Sequence, residues 1–441
     1  MANNLFQKKF LKNLKTAVNK QIRYHGIFFV FFVIKKVLMR YFVSFILYII
    51  VRLIRPIIFI RFGSLYADKI GPLVSLPVLY LCEKDHNIQV QNTLDIFHDG
   101  YGDGGNGRHI CNHHLLKMWK RVFSARSGVL VVNEIARDFL LFSMKFSLGG
   151  DHIIRTKREG RDILGLIEKS SIYLKFTREE ICQAESDLKK MGIQKGEPYV
   201  CMLNRDQKYL SETFPERDWN YHSFRDCSIE NYMPAAEELT KRGYYVIRMG
   251  AKVGELMETA NPKIIEYEHK GFRTELLDIY LAAHCGFFIG CNSGFDAVSW
   301  LFHRPEVYVN ISDLEYAHTW LSNCVLIFKK YWLKHEKRFM SVEEMIESGA
   351  GRFHRTAEYE NMGIELIENT PEEILDVVDE MDMRLEGRWQ TTEEDEELQA
   401  RFWSYFKSSD LHGVIRARIG TKFLRQHQEL LGLFSKESTW A

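Results

Sequence analysis

No Asp or Glu precedes Asp68, and the stretch from Met1 to Ala67 carries 12 of the chain's 59 Lys and Arg. The rest of the chain holds 47 basic against 58 acidic side chains, so a formal net charge of +1 conceals a basic head on an acidic body. An acidic body excludes a general nucleic-acid binder, which shows a basic face. A basic, apolar head fits an anionic membrane surface instead. Proline is scarce, 9 in 441 residues, which excludes Pro-rich linkers and collagen-like repeats. The eight cysteines never take CxxC spacing and never join His in a zinc-finger pattern. Several lie in apolar runs, as Cys201 does in Tyr-Val-Cys-Met-Leu, which points to buried free thiols and a reducing cytoplasm. No HExxH is present, and no DxD closes a strand: Asp95, Asp151 and Asp313 are isolated. No internal repeat or low-complexity tract appears. What is there, 46% hydrophobic and 27% charged residues, fits two or three globular domains.

The head, residues 1–62, also lacks an uninterrupted span. Eight apolar residues from Ile27 to Ile34 are followed by Lys35, Lys36 and Arg40, then by an apolar run to Val51, then by Arg52 and Arg55. None reaches the roughly 18–20 residues needed to cross a bilayer. A cleavable signal peptide is not expected, because the apolar part starts late and no small-residue cleavage site follows. Two readings stand. Helices lie in the interface with Lys and Arg reaching phosphates, or residues 27–51 insert as one short or re-entrant span. A buried core helix is the third, weaker reading, since a core has no use for 12 cations without a carboxylate.

Beyond Phe62, short apolar runs alternate with amphipathic stretches, the pattern of βαβ units. The expected fold class is α/β, with two doubly wound Rossmann-like domains. Their boundaries are placed at 63–190 and 191–390, with a helical segment at 391–441 packing back on the body. In the first half, residues 78–82, 93–97 and 129–133 read as strands and 109–123 as a helix. The second half is clearer. Strands are expected at 199–203, 244–249, 286–290, 307–310 and 324–328, and helices at 229–242, 273–284 and 295–302. Thr370-Pro-Glu-Glu373 is a capping box with Pro at the first helical position. Residues 391–397 read as an exposed acidic connection and 402–434 as helical.

Four segments carry chemistry. Gly286-Phe-Phe-Ile-Gly290-Cys-Asn292-Ser293-Gly294 is a strand, a short loop and a helix start. Gly290 and Gly294 let backbone approach a ligand, and Asn292 and Ser293 can donate or cap. The plain alternative is a tight βα turn. Leu203-Asn204-Arg205-Asp206 ends a strand with an Arg suited to bidentate phosphate contact. Asp206 can orient it or act as a base; a surface Arg–Asp pair is the alternative. Tyr221-His222-Ser-Phe-Arg225-Asp226 offers His222 as general base. Val246-Ile-Arg248-Met-Gly250 again ends a strand in Arg and Gly, and an Arg there needs a ligand phosphate or an internal carboxylate. Two further signals are weak. The GxGxxG of residues 102–107 lacks the acidic residue that closes a dinucleotide fold. His109 and His113, with His114, Asp99 and Asp103, lack a completed metal-ligand pattern.

In this order, these pieces resemble a family of bacterial surface-carbohydrate glycosyltransferases, a resemblance that implies two Rossmann-like domains of GT-B-like architecture. The resemblance runs from Ile60-Arg-Phe-Gly63 and Lys69-Ile-Gly71 through the four segments to Pro305–Asn310, Glu360-Asn-Met-Gly-Ile364 and Asn369-Thr-Pro-Glu-Glu-Ile374. The Arg-ended strand and the Ser-Gly loop are also similar to protein O-fucosyltransferase-type donor sites. The chain departs from their His-x-Arg-x-Gly-Asp form, with Asn204 directly before Arg205, and Asp226 stands where the family pattern has Asn. The resemblance implies a metal-independent transferase with no cofactor. It would move a sugar from a nucleotide-sugar donor to a lipid-linked or glycan acceptor at the cytoplasmic membrane face. Arg205, Arg225, Asp226, Arg248, Gly250, Gly290, Asn292, Ser293, Gly294 and Asn310 would contact substrate, and Asp206 or His222 would be the base. A nucleotide-sugar 2-epimerase on the same fold and a non-catalytic scaffold of polysaccharide assembly are the rival readings. The first would have no use for the basic apolar head, and the second none for two strand-end arginines.

Overall fold

The structure, a computed structural model, describes residues 27–100, 109–158, 160–291 and 293–433. The first part runs α1 (Ile27–Ile54), β1 (Phe59–Ser64), α2 (Ile70–Asp85), β2 (Thr93–His98), α3 (His113–Ser124), β3 (Val129–Val131) and α4 (Asn133–Phe146). Among the described residues, 27–65, 90–100 and 123–154 form one compact unit, and 66–89, 109–122 and the chain from 155 onward form a second.

The first unit is a three-stranded parallel sheet, β1-β2-β3, with α1 and α4 packed on it. Val51, Phe62, Ala136 and Phe139 make its core, and Phe62 stacks on Phe139 at 4.1 Å. Arg61 and Asp95 face each other in register across β1 and β2, both buried, with hydrogen bonds of 2.8 and 2.7 Å. Two such charges are tolerable inside a sheet only as a pair. α1 is one continuous 28-residue helix, about 42 Å long. Lys35, Lys36 and Arg40 do not interrupt it, so Phe31–Ile54 is long and apolar enough to cross a membrane by length and composition. That corrects the expectation that no stretch suffices: the cations break the apolar run, not the helix. Most of its side chains are exposed, which overturns the buried-core reading.

Residues 78–82, expected as a strand, lie inside α2. Most of this helix is buried and it tolerates Pro77, so its apolar run has no helical period to read. α2 packs with the second unit.

The second unit continues with α5 (Arg178–Lys190), β4 (Tyr199–Met202), α6 (Met233–Lys241), β5 (Tyr245–Arg248), β6 (Ile264–Glu266), α7 (Glu275–His284), β7 (Phe288–Gly290), α8 (Ala297–Leu301), β8 (Glu306–Ile311) and β9 (Cys324–Phe328). After them come β10 (Lys330–Leu333), β11 (Arg338–Phe339), β12 (Ile364–Ile367), α9 (Pro371–Leu385), α10 (Glu393–Ser404), β13 (Arg418–Ile419) and α11 (Thr421–Gln426). β10, β11 and β12 form a small antiparallel sheet. The large sheet is wholly parallel in the order β13-β9-β8-β7-β4-β5-β6. From β4 the chain winds outward through β5 and β6. It then returns to β7, on the other side of β4, and winds outward again. This is the doubly wound Rossmann order, with its switch point between β4 and β7. The strands are buried on both faces, so they read as continuous apolar runs.

Thr370 caps α9 with Glu373, with Pro371 at the first turn, as the sequence implies. The C-terminal stretch is reorganised. Residues 391–397 are the capped first turns of α10, where Thr392 pairs with Asp395, because acidic residues favour a helix N-terminus. Residues 402–434 are not one helix: β13 adds an edge strand to the large sheet before α11.

Candidate active site

The carboxyl ends of β4 and β7 lie side by side and carry the Asn204-Arg205 and Gly290–Gly294 segments, and the other two segments are bonded to Asn204 and Arg205. Asn204, just past β4, is buried; its amide nitrogen donates to the Cys227 carbonyl at 3.0 Å. The Arg205 carbonyl accepts the Cys227 amide at 3.0 Å, so the chain at 204–205 is laced to that at 226–227. The 3-10 segment Asn220–Arg225 is anchored from two directions. The buried Lys329 ammonium donates to the Phe224 and Asp226 carbonyls at 3.2 and 2.6 Å. Thr356 Oγ1 meets Ser223 Oγ at 2.9 Å and accepts the Phe224 amide at 3.2 Å.

The loop after β7 is organised by Asp296, which is fully buried. Ser293 donates its amide and its hydroxyl to the two carboxylate oxygens, at 2.6 and 3.0 Å. A Cβ on Gly290 would lie 2.7–2.9 Å from that carboxylate, so only glycine lets Asp296 close against the strand end. Behind the loop, the Cys291 thiol hydrogen-bonds to Cys227 and draws the Cys227 pKa down. Gly294 meets the first turn of α2 backbone to backbone: a Cβ on either Gly71 or Gly294 would come within 3.1–3.2 Å of the other residue's main chain. α2 is 16 residues long, and Lys69, at its N-cap, makes no side-chain capping bond. Its positive end therefore faces the Ser293-Gly294 loop.

This corner gathers cations. His222 is held down at about pKa 4, first by burial and then by Arg205, Arg225, His354 and Lys69. Arg205 is itself pushed below its ordinary value, first by burial and then by the like charge of Arg225. Its nearest carboxylate is Asp226, 3.7 Å from Nε, and Asp226 also accepts from Gln207 at 2.8 Å. Burial raises the Asp226 pKa. Arg205, Arg225 and Lys69 thus add like charge around a half-buried histidine that burial already keeps neutral. Burial raises Asp296 to about 7, with Ser293 and Arg225 pulling the other way.

Other expected residues sit elsewhere or are engaged internally. Arg248 is fully buried; it donates to Asn204 Oδ1 at 2.9 Å, to Glu266 Oε1 at 3.0 Å and to the Glu255 carbonyl. That is the internal carboxylate alternative, with Gly250 in the turn that follows. Asp206 accepts the amides of Lys208 and Gly254 at 2.8 and 2.9 Å, tying down two turns. Asn310 exchanges amide and side-chain bonds with Asn369 at 2.6 and 2.7 Å, which fixes the end of β8 to the start of α9. Asn292, Asp103 and the GxGxxG segment lie outside the described residues. His109 bonds to Tyr209 at 3.3 Å, and the His113 amide donates to Glu275 at 2.8 Å. Among the described residues, no group of three or more His, Cys, Asp or Glu is placed to hold a metal ion.

Sequence reasoning gave no role to Lys69, Asp296, Lys329 or His354. Asp296 had a signal, an acid just beyond Gly294 at a helix start. Lys329, closing the apolar run of β9, had another.

No family model and no curated protein matches the chain. Among solved structures, the chain is similar to the glycosyl transferase family 9 protein of Veillonella parvula DSM 2008. The TM-score is 0.40 at 11% identity, over 74% of this chain and 98% of that one. It is also similar to E. coli ADP-heptose LPS heptosyltransferase II, with TM-score 0.37 and 11% identity, over 74% of this chain and all of that one.

Proposed function

We propose that the protein is a glycosyltransferase of GT-B type whose second unit binds a nucleotide-sugar at the β4/β7 switch point. The observation that carries this is the grouping of Arg205, Arg225 and Lys69 about His222, with Arg225 also acting on Asp296 beneath the Ser293-Gly294 loop and the N-terminus of α2 against Gly294. Open α/β sheets take ligands at this crevice, and a diphosphate is the ligand whose charge matches it. In transfer, the acceptor oxygen bonds to the sugar's anomeric carbon as the bond to the diphosphate oxygen breaks. The electron pair leaves on the diphosphate, where fixed cations and amides stabilise it. His222, neutral at pH 7, is the base we assign to the acceptor proton if the reaction inverts. Arg248 and Asp206 act here as positioning residues that hold the strand ends. The acceptor is a lipid-linked or surface glycan, and α1 with its basic flank holds the protein at an anionic membrane surface. The exposed apolar side chains of α1 support this attachment.

Nucleoside diphosphates test the reading. A ligand at 100 times its dissociation constant stabilises the folded state by about 2.7 kcal/mol. At least one of UDP, GDP, ADP or dTDP should raise the melting temperature, and a nucleotide-sugar panel should give a product by mass. If none shifts the transition and no donor is consumed, the proposal fails. Phe31→Glu with Leu38→Glu, both exposed on α1, should weaken binding to anionic vesicles; unchanged tight binding would remove the anchor role.

A further inference from the structure

The first unit exposes apolar surface on a helix that hydropathy does not flag. α4 turns Ala136, Phe139, Leu140 and Phe142 inward. In a helix covering a water-facing sheet, the opposite stripe is polar. On α4 the stripe carries Leu141 and Met144, exposed by 38% and 63%, with Phe146 beside them 47% exposed and Leu148, just past the helix end, 36% exposed. This surface is continuous with α1. Tyr41 meets Phe146 edge-on at 5.6 Å, and Phe45 meets Phe142 at 6.3 Å. On α1, Leu38, Phe42 and Phe45 remain exposed alongside. An apolar patch spanning two packed helices marks an interaction surface.

The charges around it choose the partner. The acids beside the C-terminal turns of α4 are matched within the unit, Asp138 by Arg137 and Arg40 and Asp151 by Arg52 and Arg55, while Glu134, without a cation partner among the described residues, lies in the first turn at the far end of the helix. Lys35, Lys36 and Lys145 carry no carboxylate partner among the described residues, and Lys145 lies over the Tyr41 ring at 4.9 Å. Apolar side chains edged by unmatched lysines complement acyl chains under anionic headgroups. The last turns of α1 are built into the core through Val51, so the helix cannot be a detached tether.

We propose that α1 and α4 form one membrane-embedded face, with the C-terminal turns of α4 sunk beside α1 into the headgroup boundary of an anionic phospholipid bilayer. This rests on the membrane role proposed for α1 and adds a second element to it. The α/β unit is then docked in a fixed orientation rather than hung from a flexible anchor.

The test uses the full chain and vesicles of phosphatidylethanolamine with phosphatidylglycerol, against vesicles of phosphatidylcholine alone. Leu141→Glu with Met144→Glu should weaken partition into the anionic vesicles at least tenfold with the melting temperature unchanged, since both side chains are already exposed. Met362→Glu, an exposed apolar site of the second unit, should change nothing. The tryptophan introduced by Met144→Trp should be quenched by brominated acyl chains. Wild type that binds neither vesicle overturns the α1 reading and this inference together. Wild type that binds while the double variant binds equally, with the introduced tryptophan unquenched, overturns the role of α4 alone. Equal binding to both vesicle types removes the part assigned to lysine.

Discussion

Asp296→Asn isolates what the buried acid contributes to the candidate site. The carboxyl is fully buried and pushed up to about 7, against an ordinary value of 3.8. A folded-state pKa above the unfolded one means that the native protein holds a proton that the unfolded chain has released. The stabilising contribution is complete below pH 4 and is lost as pH rises through 7. The distance between the two values corresponds to about 4 kcal/mol, near 1.4 kcal/mol for each pH unit between 4 and 7. Asn has no such titration. Its side chain also replaces one of the two oxygens that accept from Ser293 by an NH2 donor, so the variant is less stable than wild type at pH 5. The gap should close by roughly 2–3 kcal/mol on moving to pH 7, as wild type loses its proton-linked advantage. Urea unfolding at pH 5, 6, 7 and 8 measures this, with the buried indoles of Trp300 and Trp320 reporting on the second unit. Asp278 and Asp162 titrate in both proteins and cancel in the difference, whereas Glu306, whose pKa the Asp296 charge helps to raise, is accounted for by repeating the pair in a Glu306→Gln background. A gap constant from pH 5 to 8, or one that widens with pH, would refute the reasoning.

Three further outcomes follow from the same geometry. Arg205→Gln should weaken nucleoside diphosphate binding by ten- to a hundredfold in calorimetry, the loss of one charge-assisted contact of about 1.5–3 kcal/mol; unchanged affinity would remove Arg205 from the site. The His222 resonance should titrate near 4 in the free protein, and a bound diphosphate should raise that pKa by offsetting Arg205 and Arg225, so binding tightens as pH falls from 7 toward 5. A titration unmoved by nucleotide would separate His222 from the anion. Asp95→Asn should destabilise the first unit by about 3–5 kcal/mol, whereas Arg61→Met with Asp95→Leu should cost less, because the pair is worth little beyond its own desolvation; denaturant midpoints distinguish the two.

Legibility in the sequence followed the physics of each element. The strands of the large sheet were readable because a parallel strand covered on both faces is apolar at every position, and the flanking turns set its length. Residues 78–82 defeated the same rule, since a helix buried all round is also apolar at every position. Arg205 and the Gly290–Gly294 loop were readable as strand-end chemistry. Arg248 carried the same signature and was undecidable, because its partner Glu266 ends the neighbouring strand, in register but a whole crossover further along the chain. The contribution of α2 to the site was hidden for another reason. Lys69 and Gly71 lie in the first half of the sequence and Gly294 in the second, and nothing local in either segment announces the other.

That long-range contact is itself testable, and its outcome bears on the site more directly than any single charge. Gly71 and Gly294 do not occupy the left-handed region, so replacing either by Ala carries a steric cost only. The obstruction is main chain on both sides: a Cβ at 294 would lie 3.1 Å from the Gly71 amide nitrogen, and one at 71 would lie 3.2 Å from the Gly294 Cα. Neither can rotate away, so α2 must shift from the loop by a few tenths of an ångström. Overpacking of this kind costs about 1–3 kcal/mol. Gly150→Ala, where nothing lies within 4 Å and φ is ordinary, should be neutral or slightly stabilising and serves as the control. Because both methyl groups would enter one gap, the double variant should lose more than the sum of the singles, by an excess on the order of 0.5–3 kcal/mol, the coupling typical of touching residues. If α2 presents its positive end to a diphosphate, each single variant should also lose nucleotide affinity. Additive stabilities within experimental error would mean that the backbones are not in contact. Coupled stabilities with unchanged nucleotide affinity would leave the packing intact and take α2 out of the binding site.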